Sequence, residues 1–159
     1  MMGFSRSPGG AIAHFRVDEA TALTGMVTQL ADLVEHRGAT GSDAAIDRLF
    51  PAAYRESDEY SDEFRRFTEG DLADAKVRNA ALVAETLRSP ATRRGVRVEL
   101  DAATAGAWLR TLTDLRLTLA ERVGISRGGG VPDNADAATL AVYEWLGYLQ
   151  ETLVRAVDR

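Results

Sequence analysis

The sequence predicts a mainly α protein: a helical bundle of two β-α-α-like halves joined by a minimal two-stranded antiparallel sheet. Three observations lead there. Long segments carry apolar residues at helical spacing, among them Leu23-Met26-Val27-Leu30-Leu33-Val34 and Trp108-Leu112-Leu115-Leu119-Val123. Only two short segments alternate, Ala11 to Val17 and Gly95 to Leu100. Both alternating segments run into Asp and a helix start with Ala-Thr in its first turn, as Arg16-Val17-Asp18-Glu19-Ala20-Thr21 and Glu99-Leu100-Asp101-Ala102-Ala103-Thr104. Two such units about eighty residues apart form a weak internal repeat, and pairing their lone strands would bury a core that neither could build alone.

Taken in order, residues 1–10 hold Ser, Pro and Gly without a period and read as a flexible tail; residues 11–159 read as one helical domain, with halves at about 11–90 and 95–159. Asp18 suits an N-cap for the first helix, and Gly38 ends it. A short helix is expected from Asp43 to Phe50, with Ile46, Leu49 and Phe50 inward and Pro51 as its stop. The acidic run Glu56 to Glu63 leads into a helix whose face carries Tyr60, Phe64 and Phe67, and acids in a first turn favour the positive end of the helix dipole. Thr68 to Asp71 reads as a capping-box variant that restarts the helix, with Leu72, Ala75, Val83 and Leu87 inward, up to Ser89-Pro90.

Asp101 caps the following helix, and Gly124 fits its C-terminal end. Ile125 to Asp136 is a loop in which Gly128-Gly129-Gly130 reads as a flexible connector. The last helix, Ala137 to about Val157, places Leu140, Tyr143, Leu146, Leu149, Leu153 and Val154 inward, with Trp145 and Tyr148 widening the apolar face.

Composition narrows the function classes. At 159 residues, 45% hydrophobic and 27% charged, the chain has the make-up of a globular domain. The net charge of −5 argues against a phosphate-binding surface as the main feature. No apolar run reaches the length of a membrane span and the N-terminus has no apolar signal core, so a cytoplasmic protein with no membrane association is expected. The absence of cysteine removes disulfides, thiolate metal sites and thiol switches. Of the 19 basic residues only Lys76 is lysine, a bias that fits a GC-rich genome.

Chemistry-bearing motifs are sparse. The two histidines are His14 and His36, and Asp32 with His36 makes no metal site by itself, so no metal and no cofactor is expected. Nucleophile-elbow, Walker and dinucleotide glycine patterns are absent. Arg88, Arg93, Arg94 and Arg97 form a candidate basic patch; the plainer reading is a solvated loop facing the acidic run Glu56 to Glu63. Polar residues on apolar stripes carry more information. Asn79, Arg116 and Gln150 should face inward, Asp114 could pair with Arg110 at i−4, and Glu151 adjoins Gln150. These six residues are either a buried polar network that fixes helix register or a partner surface.

The segments Glu63-Phe64-Arg65-Arg66-Phe67-Thr68-Glu69, Trp108 to Leu117 and Trp145 to Val154 resemble an actinobacterial family of unknown function. Its genes lie beside the ClpS adaptor and a sulfur-transfer cluster, and some members are labelled oxidative-stress transcriptional regulators of the AosR type. The resemblance covers about residues 12–157. It implies a non-enzymatic regulatory protein acting through protein-protein contacts, with a partner from the transcription or proteolysis machinery or a second copy in a homodimer. It supplies no catalytic residues. With acids outnumbering bases 24 to 19, sequence-specific DNA binding by the chain alone is not expected. The alternative is a small-ligand-binding protein or enzyme with a polar cleft near Asn79, Arg116 and Gln150. Mutual satisfaction of those three groups would favour the first reading, an open polar pocket between them the second.

Overall fold

The computed structural model describes residues 3–38, 44–50, 62–126 and 128–158. In chain order these form β1 (Ser5–Ser7), β2 (Gly10–Phe15), α1 (Val17–Glu35), α2 (Ala44–Leu49), α3 (Asp62–Thr86), β3 (Ala91–Thr92), β4 (Gly95–Leu100), α4 (Ala102–Val123) and α5 (Ala137–Val157). The molecule is mainly helical, with a four-stranded antiparallel sheet in the order β1-β2-β4-β3.

The central pair β2–β4 is antiparallel, as the alternating segments predicted. Ala11, Ala13 and Phe15 stand opposite Leu100, Val98 and Val96, and all six are buried. Their neighbours Arg97 and Glu99 point to solvent, which is the period-two signature of a half-covered sheet. Two glycines keep this pair tight. A Cβ at Gly95 (φ +92°) would sit 2.1 Å from the Phe15 carbonyl oxygen, and one at Gly10 would sit 2.2 Å from that of Leu100.

The sheet is larger than the two strands expected, because both ends of the central pair fold back. The segment read as a flexible tail turns at Pro8-Gly9 and pairs as β1, with Ser5 opposite Ile12. Phe4 drives this. Its ring is 94% removed from solvent, edge-on to Trp108 at 5.3 Å and to Phe15 at 5.9 Å, and its N–H donates to Thr152 Oγ1 at 3.0 Å. A single aromatic in an otherwise Ser/Gly/Pro stretch has no period, so the anchor was invisible to pattern reading. At the other edge, Ala91 and Thr92 pair with Val96 and Gly95 in a tight hairpin.

Around the sheet, α1 packs on α3, α3 on α4 and α4 on α5, while α2 lies against α4. Leu23, Val27, Leu30 and Val34 of α1 are buried as predicted. The N-cap position is Arg16 rather than Asp18; its N–H donates to the Glu19 carboxylate at 2.8 Å. In α2, Ala45 and Leu49 are buried and Ile46 is half-buried, with Phe50 buried just beyond its end.

Helix α3 runs without a break through Thr68–Asp71, so the expected restart does not occur. Ala73, Ala80 and Val83 are buried along it, and Leu87 is buried just past its end. Leu72, expected inward, is 38% exposed, and Phe67 is 68% exposed. Val83 and Leu87 are inward as expected and Ala75 is half-buried, while the small residues Ala73 and Ala80, not Leu72, complete the inner face. Asp43, Tyr60, the acidic run up to Ser61 and the Phe64 side chain lie outside the described residues.

Helix α4 begins at a reciprocal cap. Thr104 N–H donates to Asp101 Oδ1 at 2.8 Å, and Asp101 N–H donates to Thr104 Oγ1 at 2.9 Å. It ends at Gly124, left-handed at φ +87°, whose N–H reaches the Ala120 carbonyl. Trp108, Leu112 and Leu115 enter the main core, whereas Leu119 is only half-buried. Trp108 stacks on Phe15 at 5.9 Å and its Nε1–H donates to Thr86 Oγ1 at 2.8 Å. The glycine loop is not a plain connector: Ser126 N–H donates to the Gly130 carbonyl, and Gly129 N–H to that of Ser126. Helix α5 buries Leu146, Leu149, Leu153 and Ala156. Val154, expected inward, is 47% exposed. Ala120, Val123 and Ile125 form a smaller cluster with Leu140 and Tyr143 that closes the α4–α5 end.

Candidate functional site

The inward polar residues do not form one cleft. Asp114 and Arg116 are two positions apart on α4, roughly opposite each other around the helix, and each serves a different interhelical seam.

On the α3 side, Lys76 Nζ donates to Asp114 Oδ1 at 2.8 Å, and both side chains are largely buried. Asp114 therefore pairs with Lys76, not with Arg110 as its i+4 spacing suggested. Tertiary approach offered a cation on a neighbouring helix, and Arg110 is exposed to water. Burial pushes the Asp114 carboxyl above the usual range, and the hydrogen bond and charge of Lys76 pull it part of the way back. Lys76 also faces the Phe50 ring, at 5.9 Å. Asn79 is half-buried and has no hydrogen-bond partner among the described residues. It lines an open groove of about 550 Å³ with Leu72, Lys76, Arg110 and Asp114.

On the α5 side, Arg116 Nη1 donates to Gln150 Oε1 at 3.1 Å, and Gln150 Nε2 donates to Thr113 Oγ1 at 2.6 Å. The guanidinium lies over the Tyr143 ring at 4.7 Å. Gly147 makes room for it: a Cβ there would be 3.2 Å from Arg116 Nη2. Arg116 and Gln150 are thus joined as a register-fixing network requires, while Asn79 stands apart from them in the α3–α4 groove. Glu151 belongs to neither seam. It pairs with Arg155 at 2.6 Å on the exposed face of α5.

The candidate basic patch is a set of exposed side chains, Arg88, Arg93, Arg94 and Arg97, of which Arg97 pairs with Glu99 at 3.3 Å. Asp32, Glu35 and His36 bring one ligand atom each within 4.8 Å at the exposed end of α1. His36 Nδ1 lies 2.9 Å from the Asp32 carbonyl, and a solvated helix end of this kind does not by itself define a cation site.

Sequence reading missed two participants. Lys76 is the sole lysine in a chain of arginines, and that singularity was the available signal. Arg48 of α2 pairs with Glu121 at 2.5 Å and donates to the Ile125 carbonyl at 2.6 Å, tying α2 to the end of α4. Its partners lie 73 and 77 positions away, beyond the reach of any local pattern.

Fold and site together define a class: a small helical domain with a four-stranded antiparallel sheet, in which the polar residues on the apolar stripes of α4 join it to α3 and α5. The chain belongs to a family described as a domain of unknown function, DUF2017, whose model matches residues 1–157. It is similar to proteins named oxidative stress regulator AosR in Mycobacterium tuberculosis and Mycobacterium bovis, at 32% identity over 86% of this chain and 65% of theirs. A Mycobacterium leprae protein bearing the AosR name is 34% identical over 70% of this chain and 51% of its own length. The chain thus spans between half and two thirds of the curated relatives it matches. No solved structure matches it. No helix is long and apolar enough to cross a membrane among the described residues.

Proposed function

We propose that the protein is a non-enzymatic regulator that acts by binding another protein, in transcriptional or stress control, in the cytoplasm. The names of its relatives support the regulatory part of this reading. The observation that carries the protein-contact part is the outer side of α3. Phe67 and Leu82 are 68% and 39% exposed there, opposite the buried Ala73, Ala80 and Val83, and Leu72 flanks them. Aromatic and aliphatic side chains held on a rigid helix are efficient interface anchors. The basic loop side chains are too few, on a chain of net charge −5, to make the domain a DNA reader without a partner.

The test is affinity capture from the native host, comparing wild-type bait with a Phe67→Glu/Leu82→Glu variant, read by mass spectrometry. A partner of the transcription or proteolysis machinery, or a second copy, should be held by the wild type and lost by the variant. Equal capture by both baits would refute the α3 face. A thousandfold preference of the pure protein for its own upstream DNA over a scrambled duplex, of the order typical for specific readers, would restore a direct transcription-factor reading.

A further inference from the structure

The α4–α5 seam contains a charge that no carboxylate among the described residues answers. Arg116 is half-buried, yet among the described residues no carboxylate lies within ion-pair distance of it, and its Nε–H is buried without a hydrogen-bond partner. Among the described residues its hydrogen-bond partner is the neutral Gln150 amide. Every other feature holds the guanidinium still: Gln150 is itself bound to Thr113, the Tyr143 ring lies against one face of the group, and Gly147 leaves the space for it. A register-fixing contact needs none of this charge, since a second amide or a hydroxyl would bond Gln150 as well.

Arg116 opens on a cavity of about 190 Å³ whose other walls are Arg48, Thr113, Leu117, Ala120, Tyr143 and Gln150. This is several times the volume of one water, about 30 Å³. Arg48 is already paired with Glu121, so among the described residues Arg116 is the cavity's one cation without a carboxylate beside it. A planar guanidinium fork matches a planar carboxylate, and a desolvated pair of this kind makes charge-assisted hydrogen bonds. The wall formed by Leu117, Ala120 and the Tyr143 ring suits a few methylene groups.

We propose that this cavity is a binding site for a small monocarboxylate with a short apolar tail, its carboxylate held by Arg116. The site is independent of the α3 face, so either can fail alone.

The experiment is an NMR titration of the full chain with sodium butyrate, following the Gly147 and Gln150 amides, against sodium chloride and butylammonium chloride at equal ionic strength. Saturable shifts with butyrate alone are expected. Arg116→Gln should weaken binding about tenfold or more, the worth of one charge-assisted bond. Arg116→Lys keeps charge and bulk but loses the fork, and should bind with intermediate affinity even if the Gln variant folds poorly. Arg155→Gln, on an exposed pair outside the cavity's lining, should bind like the wild type. Shifts equal to those in chloride, or butyrate binding undiminished in Arg116→Lys, would overturn the site. Tighter saturation by inorganic phosphate than by butyrate would overturn the monocarboxylate assignment.

Discussion

Asp114 and Arg116 are near neighbours in sequence, on one helix, and both are charged residues on an apolar stripe. The molecule resolves them differently. Asp114 meets an opposite charge, Lys76, on α3, and the two desolvated ions answer each other at 2.8 Å. Arg116 meets an amide and an aromatic ring on α5, and among the described residues no carboxylate pairs with it. A closed ion pair is costly to break from one side, because the remaining ion is stranded in low dielectric. A guanidinium that lines a cavity and faces a neutral amide strands no opposite charge when it is removed. The difference separates a seam that holds the bundle together from one that can respond.

The largest expected effect breaks the closed seam. Lys76→Met should destabilise the fold by about 3–5 kcal/mol, measured by urea denaturation at neutral pH, because Asp114 is left buried and unpaired. A loss below about 1 kcal/mol would mean that Asp114 is relieved by water, contrary to the burial described. Leu115→Ala, between the two charges and buried in the core, should cost about 2–5 kcal/mol in the same assay. A change near zero would place the α4 stripe elsewhere.

The two seams should also differ from the helix ends in their pH response. The Asp114 carboxyl sits above its ordinary value of 3.8 in the folded state, so the native chain takes up that proton more readily than the unfolded one. Its contribution is full below the ordinary value and is lost as pH rises through the raised one. Asp101 and Asp136, the N-cap residues of α4 and α5, are opposite: hydrogen bonds from Thr104 and Thr139 hold their carboxyls low. Their contribution is present above the ordinary range and lost as pH falls through the lowered value. Stability profiles of Asp114→Asn and Asp101→Ala should therefore diverge from wild type in opposite directions on acidification: the deficit of the first grows and that of the second shrinks.

Smaller still is the open seam. Arg116→Met should cost no more than about 0.5–1.5 kcal/mol, the net worth of one hydrogen bond. A loss comparable to that of Lys76→Met would make the two seams equivalent and the comparison false. Last comes Arg155→Ala at the exposed Glu151 pair, expected within about 0.5 kcal/mol of wild type by the same assay.

How much of this was readable in advance depended on range. The stripes of α1 and α4, the Asp101 cap, the Gly124 stop and the antiparallel β2–β4 pair are local or near-local patterns, and they stood in the sequence. So did the presence of polar residues where apolar ones were due: Asn79, Asp114, Arg116 and Gln150 were legible as a group. Their partners were not. Spacing offered Arg110 to Asp114, and only the packing of α3 on α4 supplied Lys76, 38 positions away.

The sequence by itself determined most of the helices, the Asp101 cap, the Gly124 stop and the class of the fold, because periodicity and capping act within a few residues of one another. Tertiary structure decided the rest. It drew Phe4 and its edge strand into the core, turned Leu72 and Val154 outward, and divided one imagined cleft into two seams. Each of these outcomes depends on which surface arrives from across the chain, and on whether it brings an opposite charge, a ring or empty space. Nothing in the local alternation of polar and apolar residues encodes that.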